Sequence, residues 1–293
     1  MLLRITKYSR LVYPQKSLLS AKRLKFSLRA VATARLHRRW FQLLAQPHLD
    51  DVVRYDPRLL ARLQKPCLHA GLAPQERPEM LSFHFRRFAQ WPERMRVACY
   101  SPGGHPLVGF EDEGRRHALA VEHVPGLSRE GELSLVWRCD DTAVAMATFV
   151  FCPWQGGGVG LLVGGFQGAR NAHGLELFRE LTKTMHGLRP MSFMVHALRG
   201  LARAWGLEGV LAVSEAGHAT TTERSRQKGK RQFDYDTIWQ EHGGVVRDRW
   251  LHELSLATER RSLEDVPSRK RALYRRRYAL LESLETLLAQ VPG

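Results

Sequence analysis

Gly158-Val159-Gly160-Leu161-Leu162-Val163-Gly164-Gly165-Phe166-Gln167-Gly168-Ala169-Arg170-Asn171 changes character halfway along. As far as Phe166 it is a short apolar run of strand type, and past Gly168 the period becomes helical, from Leu175 to His186. A glycine-bearing strand end that leads into helices is the point from which the remaining elements are ordered.

Upstream, from residue 80 to 166, the pattern is one of strands. Met95 to Tyr100, His117 to Val124, Leu133 to Cys139 and Ala143 to Phe151 are short, rich in Val, Leu and aromatics, and bounded by Pro-Gly-Gly, Pro-Gly, Asp-Asp and Gly-Gly-Gly. Asp140-Asp141 sits between two such runs and predicts a hairpin, so the product is an antiparallel meander. Downstream, Pro190 suits a helix first turn and Gly206 a C-terminal cap, which brackets a helix from Pro190 to Trp205. Val210 to Ser214 is then a strand reached through helices, so it should lie parallel to its neighbour. A short helix from Asp236 to His242, with Asp236 as its cap, a strand or hairpin over Val245 to Ala257, and a helix from Ser268 to Gln290 complete the order. Leu273, Leu280, Leu284 and Leu287 should form the inward stripe of that last helix.

These elements predict a mixed α/β (α+β) fold, largely antiparallel with one parallel strand reached by a helical crossover. That order is the one of the GNAT-like acetyltransferase fold, although other α+β domains share it and it identifies no chemistry by itself.

The amino-terminal region differs in charge. The protein carries +16 over 293 residues, and eleven of those charges come from Lys and Arg before residue 50, where no Asp or Glu occurs. Residues 1–48 are therefore expected to form a basic helical segment, ahead of a domain over residues 49–293 whose charge is nearly balanced. Between Ser17 and Gln46, Leu24, Leu28, Val31, Leu36, Trp40 and Phe41 recur at helical spacing. Two readings stand for this helix: its apolar face lies on an anionic bilayer, or it packs on its own domain with the arginines in water. Pro47 ends it, and Asp56-Pro57 opens a shorter helix through Leu63.

With 44% hydrophobic residues the chain can build a core, and global disorder is excluded. Cys67, Cys99, Cys139 and Cys152 show no CxxC spacing, so reduced thiols are expected and no metal site is. No secretory leader and no apolar run of about 18 residues is legible, which points to a cytoplasmic protein, at most peripheral on the inner face of the membrane.

Several stretches carry candidate chemistry. Gly165, Gln167, Gly168 and Arg170 follow a strand and precede a helix, where backbone N–H groups and a guanidinium can face an anion such as the pyrophosphate of acyl-CoA. The glycines serve a tight turn or close packing equally well. Neither a Walker loop nor a dinucleotide fingerprint is present. His186 and Arg189 join two helices, where they either line a pocket for substrate or satisfy terminal carbonyls. Glu215 and His218 follow the parallel strand, the edge at which open sheets place ligand groups, and either can act as a general base. Asp236 adds a carboxylate beside Tyr235 and Trp239, either for substrate or for structure. Arg271 and Arg275 share one face of the last helix, which is a solvated face or a seat for a phosphorylated ligand. Nucleic acid is the less favoured partner of such a face, because no helix-turn-helix, zinc finger or ribonucleoprotein motif accompanies it.

Taken together, Gly-Phe-Gln-Gly (165–168), Leu-Thr-Lys-Thr-Met-His-Gly-Leu-Arg-Pro (181–190), Val-Ser-Glu-Ala-Gly-His (213–218), Asp-Tyr-Asp-Thr-Ile-Trp-Gln-Glu-His-Gly-Gly (234–244) and Pro-Ser-Arg-Lys-Arg-Ala-Leu-Tyr-Arg-Arg-Arg-Tyr (267–278) resemble the VirK/YbjX family. The family pattern usually has Asn near the place of Glu215, which weakens a role for that carboxylate. The resemblance implies a bacterial protein linked to virulence and to resistance against cationic antimicrobial peptides, acting at the cell envelope. On a GNAT-like fold it implies acyl transfer from acyl-CoA to a phosphorylated envelope precursor, with His218 or Glu215 near the acceptor. The competing expectation is a non-catalytic accessory protein bound to anionic lipid or a phosphorylated envelope component through residues 1–48 and the Arg271 to Arg277 face.

Overall fold

Asp140 and Asp141 both adopt positive φ, 47° and 66°. The two-residue turn between β3 (Leu133–Cys139) and β4 (Thr142–Pro153) therefore has the geometry that matches strand twist, and Cys139 pairs with Thr142 as a hairpin. This hairpin is the centre of the sheet in the computed structural model, which describes residues 2–17, 20–168, 172–219, 234–258 and 260–292.

Before it run β1 (His105–Asp112) and β2 (Arg115–Glu122), and after it β5 (Val159–Gly168), all antiparallel. Helices α7 (Ala172–Thr184) and α8 (Pro190–Ala204) then carry the chain to β6 (Val210–Val213), which lies parallel to β5. A hairpin of β7 (Val245–Val246) and β8 (Leu251–Leu254) completes an eight-stranded sheet of order β1-β2-β3-β4-β5-β6-β8-β7, with β8 antiparallel to β6. The fold is the expected mixed α/β one, a largely antiparallel sheet with one parallel pair made by helical crossover.

Strand alternation sorts the faces. Leu119, Val121, Leu135, Trp137, Ala145, Ala147 and Phe166 point to one side, where Phe193 of α8 meets the Trp137 ring at 4.4 Å. The 21-residue α10 (Ser268–Leu288) packs on α8 through Leu280, Leu281, Leu284 and Leu288. The opposite face carries a cross-strand row of Glu122, Ser134, Thr148 and Gly165, in which the Ser134 and Thr148 hydroxyls bond at 2.8 Å.

Several expectations need correction. Met95 to Tyr100 is not a strand but part of α6 (Glu93–Cys99), and Arg77–Phe88 is a helix, α5. Met95 and Cys99 are buried one turn apart, the helical spacing, and on α5 the sequence of aromatics masks the same period. The strand β1 was not read, because Pro106 and Gly109 weaken its signal and it lies at the sheet edge. Leu273 is 38% exposed, and Leu281 and Leu288 take the inward positions on α10 that Leu273 and Leu287 were expected to fill.

The amino-terminal helix is also divided. It breaks at Thr33 into α2 (Ala21–Ala32) and α3 (Ala34–Leu44), behind α1 (Leu2–Val12). The Thr33 hydroxyl donates to the Arg29 carbonyl and meets His37 Nδ1, both at 2.8 Å. Phe26, Ala30, Trp40, Phe41 and Leu44 enter the same apolar core as the sheet, and Trp40 Nε1 donates to the Leu59 carbonyl. Leu24, Leu28 and Val31, which the spacing places on the inward face, point outward instead. Burying the larger Phe26 on α2 sends that stripe to solvent.

A buried ionic cluster joins the 3-10 helix Pro57–Gln64 to the sheet. Arg62 Nη1 lies 2.8 Å from Glu132 Oε1, and Asp56, which caps this helix from the short α4 (Asp50–Tyr55), holds His123 Nε2 at 3.3 Å. Burial pushes the Asp56 carboxyl up, but hydrogen bonds from His123 and Arg58 outweigh it and hold it at about 2. No helix among the described residues is long and apolar enough to cross a membrane.

Candidate functional site

The strand β5 is paired with β4 along its whole length, but with β6 only from Leu161 to Val163. Past Val163 the ladder opens, and the edge from Gly164 to Gly168 must be satisfied otherwise. Tyr235, first residue of α9 (Tyr235–Glu241), does this: its hydroxyl accepts from the Phe166 N–H at 3.2 Å and donates to the Phe166 carbonyl at 3.3 Å.

On the polar face a carboxylate crosses the strand. A Cβ on Gly165 would lie 1.7 Å from Glu130 Oε2, and one on Gly164 would lie 1.9 Å from the Glu130 carbonyl oxygen. The two glycines are therefore required by close approach, which was one of the two readings open for the Gly165–Gly168 stretch. Glu130 Oε2 accepts from Gln167 Nε2 at 2.9 Å, and Glu130 Oε1 lies 3.2 Å from His218 Nε2. The imidazole of His218 also stacks on Tyr235, with ring centroids 5.5 Å apart. Side-chain exposure is 8% for Glu130 and 12% for His218, so the three groups meet in a nearly closed cluster. A chain strap fixes its floor: Leu68 N–H donates to Arg129 O and Ala70 N–H to Gly217 O, each at 2.7 Å.

On the apolar face, past the end of β5, lies a cavity of about 580 Å³ between α7, the start of α8 and α9. Phe178, Met191, Pro190 and Ile238 form its apolar walls, and Leu175 stands at its mouth. A Cβ on Gly168 would meet Phe178 Cζ at 2.9 Å and Met191 Sδ at 3.3 Å, so this glycine abuts the cavity wall. Arg179, Lys183 and Arg189 supply positive charge at the rim; Arg189 is paired with Glu241, whereas Arg179 and Lys183 have no acidic partner among the described residues. Burial, with Arg199 beside it, pushes His242 down to about 4 and leaves it neutral near pH 7.

The structure thus brings together some of the expected residues and separates others. Gly165, Gln167 and His218 converge on Glu130, while Gly168 and Arg189 belong to the cavity on the other side of the strand. Arg170 lies outside the described residues. Glu215 is exposed, and its N–H donates to Asp236 Oδ1 at 3.2 Å, so Asp236 fixes the turn after β6. Asp234, not Asp236, caps α9, through the Thr237 N–H at 3.0 Å. His186 ends α7 at φ 54°, and its carbonyl accepts from Arg277 Nε and Nη2. Arg271 folds back on the carbonyls of Val266 and Glu264, and Arg275 is exposed on α10. Among the described residues no group of His, Cys, Asp and Glu is arranged to hold a metal ion.

Glu130, on which the cluster turns, was missed. It lies in a loop without a local motif, and its sequence signal is indirect: the Gly164-Gly165 pair inside an apolar strand marks a close approach without naming the visitor.

Comparison with known proteins gives a family model, described as protein of unknown function (DUF535), that matches residues 17–290. The uncharacterized protein YbjX of Escherichia coli K12 is 29% identical over 272 residues, which covers 91% of this chain and 82% of that protein. An uncharacterized protein of Haemophilus influenzae is 35% identical over 188 residues, covering 64% of this chain and 61% of its own length. Among solved structures, a point mutant of a cAMP-binding acyltransferase from Mycobacterium smegmatis covers 70% of this chain and 65% of its own at 15% identity, with a TM-score of 0.29. A likeness that low carries no argument about this chain.

Proposed function

The chain belongs to the VirK/YbjX family, the DUF535 proteins, and on that premise we propose that it binds an acyl-CoA-like amphiphile and transfers the acyl group to an envelope-related acceptor. The observation that carries this reading is the cavity beside Gly168: apolar walls suited to a fatty-acyl chain, under a rim where Arg179 and Lys183 can take an anionic, phosphate-bearing head. The acyl chain enters the cavity, while Tyr235 holds the edge of β5 at Phe166 until donor binds.

In the proposed reaction an amine or hydroxyl of the acceptor attacks the thioester carbonyl. His218, held by Glu130, takes the acceptor's proton; the C–S bond breaks, and the proton passes to the departing thiolate, which leaves as free coenzyme A. His218 and the cavity lie on opposite sides of β5, so the reading requires the Tyr235 ring, which stacks on His218 and bonds Phe166, to move when donor is bound and open a path between them. Envelope substrates, virulence and peptide resistance enter through the family resemblance.

A melting series tests the binding half. Long-chain acyl-CoA should raise the melting temperature more than coenzyme A alone, and Ile238→Arg, which fills the cavity, should abolish the difference. No stabilisation by millimolar acyl-CoA contradicts the proposal. Stabilisation without thiol release in the presence of envelope amines or hydroxyls would leave a lipid-binding protein and remove the catalytic half.

A further inference from the structure

The outward faces of α1 and α2 are apolar where a solvated helix is polar. Arg23, Phe26 and Ala30 are the buried residues of α2, and Arg23 ties the helix down by donating to Ser9 Oγ and to the Lys16 carbonyl. This leaves Leu24 46%, Leu28 70% and Val31 49% exposed at i, i+4 and i+7, a continuous stripe on one helix face. On α1, Ile5 and Ser9 face inward, which leaves Leu3 88% and Leu11 42% exposed. Both helices rest on the 3-10 helix Pro57–Gln64, so these stripes look away from the domain. Lys7 and Arg10 are exposed on α1, and Lys22, Lys25 and Arg29 on α2.

We propose that this face docks on an anionic phospholipid surface, with Leu3, Leu24, Leu28 and Val31 at the acyl boundary and the lysines and arginines at the lipid phosphates. Charge selects that occupant. With eleven basic and no acidic residues before residue 50, a second copy of the chain placed on this face would meet like charge. A nucleic-acid duplex answers the charge, but it has no use for aliphatic side chains in a stripe that carries no aromatic ring. The proposal stands apart from acyl transfer, since the cavity can be filled or empty without altering this face.

Vesicle flotation of the full chain decides it. Vesicles of phosphatidylcholine with phosphatidylglycerol should carry the protein, and pure phosphatidylcholine should carry about tenfold less, as expected when several cations meet an anionic surface. The triple variant Leu24→Ser, Leu28→Ser, Val31→Ser changes only exposed positions; it should melt with the parent and lose about tenfold in vesicle binding. Lys22→Gln with Lys25→Gln should weaken binding as well, most visibly at low salt. Equal binding to both vesicle types, or full binding by the triple variant, overturns the proposal. So does tight binding to duplex DNA that the triple serine variant retains while vesicles bind neither protein.

Discussion

His218 Nε2 faces Glu130 Oε1 across 3.2 Å, and the other oxygen of the same carboxylate accepts a hydrogen bond from Gln167. A loop carboxylate thus joins the end of β5 to the turn after β6, where the parallel ladder has already opened. The contact exists because Gly165 has no side chain to block it.

Gly165→Ala should therefore destabilise the protein by about 1–3 kcal/mol, the range for overpacking a filled interior. Its new methyl would meet Glu130 Oε2 at 1.7 Å. In a Glu130→Ala background that cost should fall, because Oε2 and Cδ are gone, although the Cβ that alanine keeps still lies 2.8 Å away. Gly164→Ala should stay costly in the same background, since it meets the backbone carbonyls of Glu130 and Leu68. Urea titration of the four variants gives the coupling.

Tyr235→Phe should cost about 1–3 kcal/mol by leaving the Phe166 amide and carbonyl without their partner. Hydrogen exchange at the Phe166 amide should accelerate more than at Leu162, which sits inside the intact β5–β6 ladder. Equal protection at both positions would mean that the hydroxyl is not what closes the opened edge.

Acid should weaken the fold through buried histidines such as His84 and His242 and, at lower pH, through Asp56. Burial pushes His84 down to about 3, while its Nδ1 accepts the Phe151 N–H, so the unfolded chain binds a proton below about 6.5 that the folded protein refuses. Stability from this histidine is fully present above pH 6.5 and declines as pH falls toward 3. Asp56, held at about 2, contributes stability that is present above the usual 3.8 and is lost as pH falls through 2. Urea midpoints measured from pH 7 to pH 4 should fall with acid, and His84→Gln should flatten that slope. A His84→Gln slope equal to the parent's would contradict the assignment.

What the sequence made legible were the parts set by neighbours in the chain. Asp140-Asp141 between two apolar runs marks the hairpin, and both residues do take positive φ. Pro190 and Gly206 bracket α8, with Gly206 at φ 63°, and the strand after it is parallel to β5 as its helical crossover requires. The parts that stayed hidden depend on partners distant in sequence. Arg77–Phe88 carries Phe83, His84, Phe85 and Phe88 close together, and such a run favours a strand until Phe85 meets Trp40, His84 meets Phe151 and Phe88 meets Trp91. The outward turn of Leu24, Leu28 and Val31 follows from Phe26 and from the hold of Arg23 on Ser9, and periodicity alone does not choose between the two faces. Glu130 meets Gln167 and His218 only through the tertiary fold, so no spacing rule could name it; the cluster they form is nearly closed, and the cavity lies on the far side of the strand.

The most direct measurement is photocrosslinking with a long-chain acyl-CoA that carries a diazirine near the end of its acyl chain, with the attachment sites mapped by mass spectrometry. The account predicts adducts on Phe178, Met191 or Ile238, lost when unlabelled acyl-CoA competes and absent in Ile238→Arg. Adducts confined to other surfaces, or none that competitor removes, would contradict it.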